Sequence, residues 1–230
     1  MKILILATPR SGSSALQTAI SEAHNLEWFS EPFNQELQDN WNGNKSKEHL
    51  YPYKSNPFEI PDGFVIKSLT FFNHWPDAFS HHWAGGMEAY LKAYGTDEYQ
   101  QQKQQFYLDY SEYFDKVILL LRRDVGDQLR SMLIGMQQEA EAGHRLYDHW
   151  NNEYKAFNPV LDDIGVLNTR LLFDSIKIIE NISAIRKLPI VYYEDFYTQE
   201  PIFDQTNIKN DLGLDGMWSK HFDPDKRWRK

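Results

Sequence analysis

The chain opens Met1-Lys2-Ile3-Leu4-Ile5-Leu6-Ala7-Thr8-Pro9-Arg10-Ser11-Gly12-Ser13-Ser14. Residues 3–7 are an unbroken apolar run, which suits a strand covered on both faces, as in a parallel sheet. From Ser13 the period changes. Ala15, Leu16, Ala19, Ile20 and Ala23 form one stripe at helical spacing over residues 13–23. A glycine-containing turn between a strand and a helix aims several backbone N–H groups at one spot, and the positive end of the helix dipole adds to them. Gly12 lets the chain curl tightly. Ser11, Ser13 and Ser14 contribute hydroxyl donors, and Arg10 contributes a permanent forked cation. The stretch therefore reads as an anion site suited to a phosphate-bearing nucleotide.

Outward from that turn, residues 26–29, 63–68, 116–121 and 189–193 read as further strands. The most apolar is Val117-Ile118-Leu119-Leu120-Leu121. Helices are expected over 97–114, with Phe106, Tyr110 and Tyr113 facing inward, and after Asp124 as N-cap. The second of these buries Val125, Leu129, Met132, Leu133 and Met136. Further helices are expected over 144–157, 164–187 and 205–212. Residues 34–62 read as a long polar loop, and 70–97 stay ambiguous. Strands alternating with helices predict an α/β fold: a single domain over 1–230, built on a doubly wound parallel sheet with a P-loop-like strand-loop-helix start and helices on both faces.

A length of 230 residues supports one substantial core, and 41% hydrophobic with 25% charged residues is a globular mix. A net charge of −9 argues against general affinity for nucleic acid. The absence of cysteine excludes disulfides and thiolate chemistry and fits a reducing cytoplasm. No stretch approaches the roughly 20 apolar residues of a membrane helix. His81-His82 has no third ligand at sensible spacing, so no metal site is expected.

The turn is not a Walker A loop. That motif needs Gly-x-x-x-x-Gly-Lys-Ser/Thr, and here one glycine is missing and Ser13 follows Gly12. Thr8-Pro9-Arg10-Ser11-Gly12-Ser13-Ser14 instead resembles the 5′-phosphosulfate loop of sulfotransferases that use 3′-phosphoadenosine 5′-phosphosulfate. Arg10 in place of Lys leans toward the carbohydrate-type and bacterial trehalose-type members. The resemblance implies that Arg10, Ser11, Gly12, Ser13 and Ser14 hold the 5′ side. It also implies that Arg123, at a strand end, and Ser131, eight positions later, hold the 3′-phosphate. Arg122 competes with Arg123 for that role. Val191-Tyr192-Tyr193-Glu194-Asp195-Phe196 is similar to a family segment whose Tyr contacts adenine, which points to Tyr193. The basic end, Lys226-Arg227-Trp228-Arg229-Lys230, resembles a segment that closes over the 3′-phosphate, without its clean Arg-Lys-Gly.

Sulfuryl transfer builds negative charge on the leaving oxygen, so a loop cation is expected, and Arg10 fills that role. The acceptor needs a base. Leu69 stands where cytosolic members carry His, and Ser30-Glu31-Pro32-Phe33 resembles the Glu-Pro segment of carbohydrate-type members. Glu31 is therefore the expected base, with His74 in reserve, and Lys67 orients donor or base. The expected activity is metal-independent sulfuryl transfer to a hydroxyl or, second, an amine of a glycan or small metabolite. A kinase using Mg-ATP and a non-catalytic nucleotide-binding module are the alternatives. A kinase needs an Asp after an interior strand to hold Mg²⁺, whereas the main strand ends in Arg122-Arg123.

Overall fold

The computed structural model describes residues 1–30, 32, 58–70, 96–142 and 163–196. In chain order these form β1 (Lys2–Ala7), α1 (Ser13–His24), β2 (Glu27–Ser30), β3 (Phe64–Leu69), α2 (Asp97–Ser111), β4 (Lys116–Leu121), α3 (Val125–Ala142), α4 (Asp163–Arg186) and β5 (Ile190–Tyr192). A 3-10 turn, Tyr193–Phe196, follows. The strands make an all-parallel sheet in the order β2-β3-β1-β4-β5. The α/β expectation and its parallel sheet hold. The helices expected over 144–157 and 205–212 fall outside the described residues.

Strand β1 lies at the centre of the sheet, which explains why its sequence is apolar without alternation. Ile3, Ile5 and Ala7 face α1 and meet Leu16, Ala19 and Ile20. Leu4 and Leu6 face the other way, toward Tyr107 and Tyr110 of α2 and Ile178, Ile179 and Ile182 of α4. Full burial of one Leu or Ile side chain contributes about 1.5–3 kcal/mol. Helix propensities among ordinary residues differ by no more than about 0.7 kcal/mol. Packing onto β1, rather than propensity, therefore fixes α1 where it is. Buried Gln17 also fastens α1 to the sheet, donating from Nε2 to the carbonyls of Phe29 (2.8 Å) and Val65 (3.1 Å).

The α2 side is built on rings. Tyr110 is fully buried, stacked on Phe106 at 6.0 Å and edge-on to Phe114 at 5.1 Å. Burial, and then neighbouring Tyr107, push its phenol well above the ordinary tyrosine range. Tyr113 departs from the expectation that it faces inward, since it is 49% exposed. The helix stops at Ser111, so the spacing that places Phe106 and Tyr110 no longer governs position 113. Phe114 turns into the core instead. Helix α3 starts as expected: the Asp124 carboxylate accepts from the Asp127 N–H at 2.8 Å. Among the described residues, no helix is long and apolar enough to cross a membrane.

Candidate functional site

The turn leaves β1 at its carboxyl end, where open α/β sheets bind ligands. Two residues take positive φ, Arg10 at 60° and Gly12 at 77°. Between them Ser11 is buried and donates its hydroxyl to the Thr8 carbonyl at 2.6 Å, closing the curl. Gly12 is the N-cap of α1 and offers no side-chain cap. The first N–H groups of a helix have no intrahelical acceptor, so an uncapped start suits an anion. Only glycine fits position 12. Besides the backbone angle, an added Cβ would lie 2.7 Å from Cε2 of Tyr193.

Helix α3 anchors the turn from the other side. Buried Gln128 donates Nε2 to Thr8 Oγ1 (2.7 Å) and to the Pro9 carbonyl (2.5 Å). Three residues on, Ser131 Oγ accepts from Arg10 Nε at 3.1 Å. From β3, buried Lys67 reaches Ser14, donating Nζ to Oγ at 3.1 Å. Arg10, Gly12, Ser14, Lys67, Ser131 and Tyr193, singled out in the sequence from four separate stretches, are thus linked by direct contacts. Ser11 and Ser13 are buried in the same turn. Glu31, His74 and the basic C-terminal segment lie outside the described residues.

The two strand-end arginines divide. Arg122 is 8% exposed and turns toward the loop. Its Nη1 donates to the Arg10 carbonyl at 3.4 Å, and its guanidinium carbon lies 4.8 Å from the centre of the Tyr193 ring. Asp127 pairs with it, and Glu194 stands 3.7 Å away. Arg123 points elsewhere. It makes a two-pronged pair with Asp195 and lies over the Tyr192 ring at 4.2 Å. The hydrogen bond it donates to Asp195 holds the guanidinium above its ordinary pKa, against a smaller opposing effect of burial. Glu194 accepts from the N–H groups of Arg123 (2.9 Å) and Asp124 (3.2 Å), at the entry to α3.

The sequence pattern points to Tyr193 but not to its neighbours Glu194 and Asp195, which set the two arginines. Two acidic residues following a strand, in a chain whose preceding strand ends Arg122-Arg123, were the available signal. Gln128 gave none, since a lone glutamine on an amphipathic helix reads as surface. Arg10 and Lys67 bring two cations to the start of α1, and Arg122, whose charge Asp127 offsets, stands against the Arg10 carbonyl, an arrangement suited to an oxyanion. Among the described residues, no group of three His, Asp or Glu side chains could hold a metal ion. Comparison with protein-family models, with curated proteins and with solved structures finds no match for the chain.

Proposed function

We propose that the chain is a sulfotransferase of doubly wound, P-loop-like build. It moves a sulfuryl group from 3′-phosphoadenosine 5′-phosphosulfate to the hydroxyl of a glycan or small metabolite. The observation that carries this reading is the turn itself: two positive-φ residues, an uncapped helix start, and Arg10 joined to Ser131 of α3. In the reaction a bond forms from the acceptor oxygen to sulfur, and the bond from sulfur to the bridging phosphate oxygen breaks. The acceptor proton goes to a base, for which Glu31 is the candidate. Arg10 neutralises the charge arriving on the leaving phosphate. Lys67, held by Ser14, places a second cation at the same turn. Tyr193, packed on Gly12 and under Arg122, offers a ring edge or face for a base. On this reading the 3′-phosphate has two candidate arginines. Arg122 is turned to the loop but must exchange Asp127 for phosphate, and Arg123 must exchange Asp195.

Calorimetric titration with 3′-phosphoadenosine 5′-phosphate, beside ATP with and without Mg²⁺, tests the proposal. Tight, metal-independent binding of the bisphosphate that is lost in Arg10→Ala supports it. Preference for Mg-ATP, or indifference to the 3′-phosphate, overturns it in favour of a kinase. Binding without turnover over a broad acceptor screen would leave a nucleotide-binding module.

A further inference from the structure

Helix α2 carries a second polar feature, away from the turn. Lys103 is 2% exposed, and its Nζ is buried without a hydrogen-bond partner. The Nε2 of Gln100 is buried and unpartnered as well. Residues three apart share one helix face, so the two donors leave α2 on the same side. Buried donors nearly always find acceptors, and two unmet on one face are an exception that asks for a cause.

Their place in the fold is set by the contacts around them. One turn further along α2, Tyr107 donates its hydroxyl to the carbonyl of Leu69, the last residue of β3, at 3.1 Å. The helix runs antiparallel to the strands, because its far end leads directly into the start of β4. Lys103 therefore sits one turn beyond the carboxyl end of β3, the edge from which the anion-binding turn also leaves. It lies under the α2–α4 layer, on the opposite face of the sheet from α1. Helix α4 supports this edge: Ser175 Oγ donates to the Thr70 carbonyl at 3.0 Å, and Thr70 Oγ1 lies 3.4 Å from the Ala7 carbonyl at the root of the turn.

We propose that Gln100 and Lys103 form a second ligand site that takes a carboxylate group of a small molecule. A carboxylate supplies two acceptor oxygens to two donors that have no hydrogen-bond acceptor of their own. Burial lowers the Lys103 amine to about 7, with Asp174 on α4 working in the opposite direction. Asp174 is the carboxylate acting on it from α4. Tyr107 and Tyr110 are the buried phenols of the same helix. The Asp174 charge also disfavours a dianion at this spot, which selects a monoanionic carboxylate over sulfate or phosphate. The site stands apart from the nucleotide reading and does not depend on it.

The test uses the whole chain with sodium acetate as probe. Sodium chloride at matched ionic strength is the control, and sodium sulfate the dianion arm, near pH 6, about one unit below the amine's titration. Thermal unfolding is followed together with the side-chain nitrogen resonance of Lys103. Acetate should stabilise the chain saturably and move that resonance. Lys103→Met, which keeps the volume and removes the amine, should weaken the effect by about tenfold, and Gln100→Leu by roughly threefold, since the charged donor is the stronger partner. Arg10→Ala should leave it unchanged, and Lys103→Met should leave binding of 3′-phosphoadenosine 5′-phosphate unchanged. Acetate acting no better than chloride, an acetate effect that survives in Lys103→Met or vanishes in Arg10→Ala, or sulfate outcompeting acetate would each overturn the proposal.

Discussion

The turn over residues 8–14 and the α2–α4 layer meet at the same edge of the sheet, and they treat their polar groups in opposite ways. In the turn, Ser11 is tied to Thr8, Arg10 to Ser131, Ser14 to Lys67, and Thr8 and Pro9 to Gln128. Those contacts hold the left-handed backbone at Arg10, so the turn has its shape without a ligand. In the α2–α4 layer, Lys103 and Gln100 keep buried donors without acceptors among the described residues. That arrangement costs stability in the unliganded chain. One region spends contacts on holding a shape; the other holds unmet polarity that a ligand can relieve.

The contrast can be broken at either end. The largest effect is expected from Gly12→Ala. A non-glycine residue at φ 77° is strained, and its Cβ would drive into the Tyr193 ring. A loss of about 3 kcal/mol, with loss of bisphosphate binding, should appear in denaturant unfolding and calorimetry. Wild-type stability with intact binding would show that the turn is not held as described.

Next comes Lys103→Met, with the opposite sign. The folded amine titrates at about 7, below its ordinary 10.5. The penalty for burying it is therefore complete below pH 7 and fades as pH rises toward 10.5. Stability of the wild-type chain should climb across that window through this group. Lys103→Met should flatten the climb and gain on the order of 2 kcal/mol near pH 6. Denaturant midpoints measured on both sides of neutrality check this, and parallel curves for the two proteins would remove Lys103 from the contrast.

Gln128→Leu sharpens the comparison from the turn's side. It cuts the two hydrogen bonds that join α3 to Thr8 and Pro9, for an expected loss of about 1–2 kcal/mol and a bisphosphate affinity roughly tenfold weaker. Unchanged affinity would mean that the loop keeps its shape without α3. The smallest effect belongs to Asp195→Asn. Arg123 is a third exposed, so its pair with Asp195 is worth under about 1 kcal/mol. If Arg123 serves the 3′-phosphate, releasing it should raise bisphosphate affinity. If Arg122 serves, calorimetry should show no gain.

Much of this architecture was legible in the chain. The unbroken apolar runs at 3–7 and 117–121 announced interior strands, because a strand buried on both faces has no polar side to show. The change of period at Ser13 and the Asp124 cap marked where helices begin. The candidate turn was legible for the same local reason, since glycine, serines and arginine between a strand and a helix act through the backbone next to them. Legibility failed where spacing ran past a helix end, at Tyr113. It failed again in the polar run 100–105, which reads as an exposed face while Lys103 falls on the buried stripe of Tyr107 and Tyr110.

By itself, then, the sequence determined the α/β alternation, the parallel sheet and the place of the strand-to-helix turn over residues 8–14, all of which follow from periodicity and local backbone chemistry. The tertiary structure alone decided which partners meet: that Arg122 faces the loop while Asp195 takes Arg123, that Gln128 anchors the turn, and that Lys103 is enclosed. Each of those joins residues 70 or more positions apart or depends on which face a helix turns inward, and no local pattern carries that information.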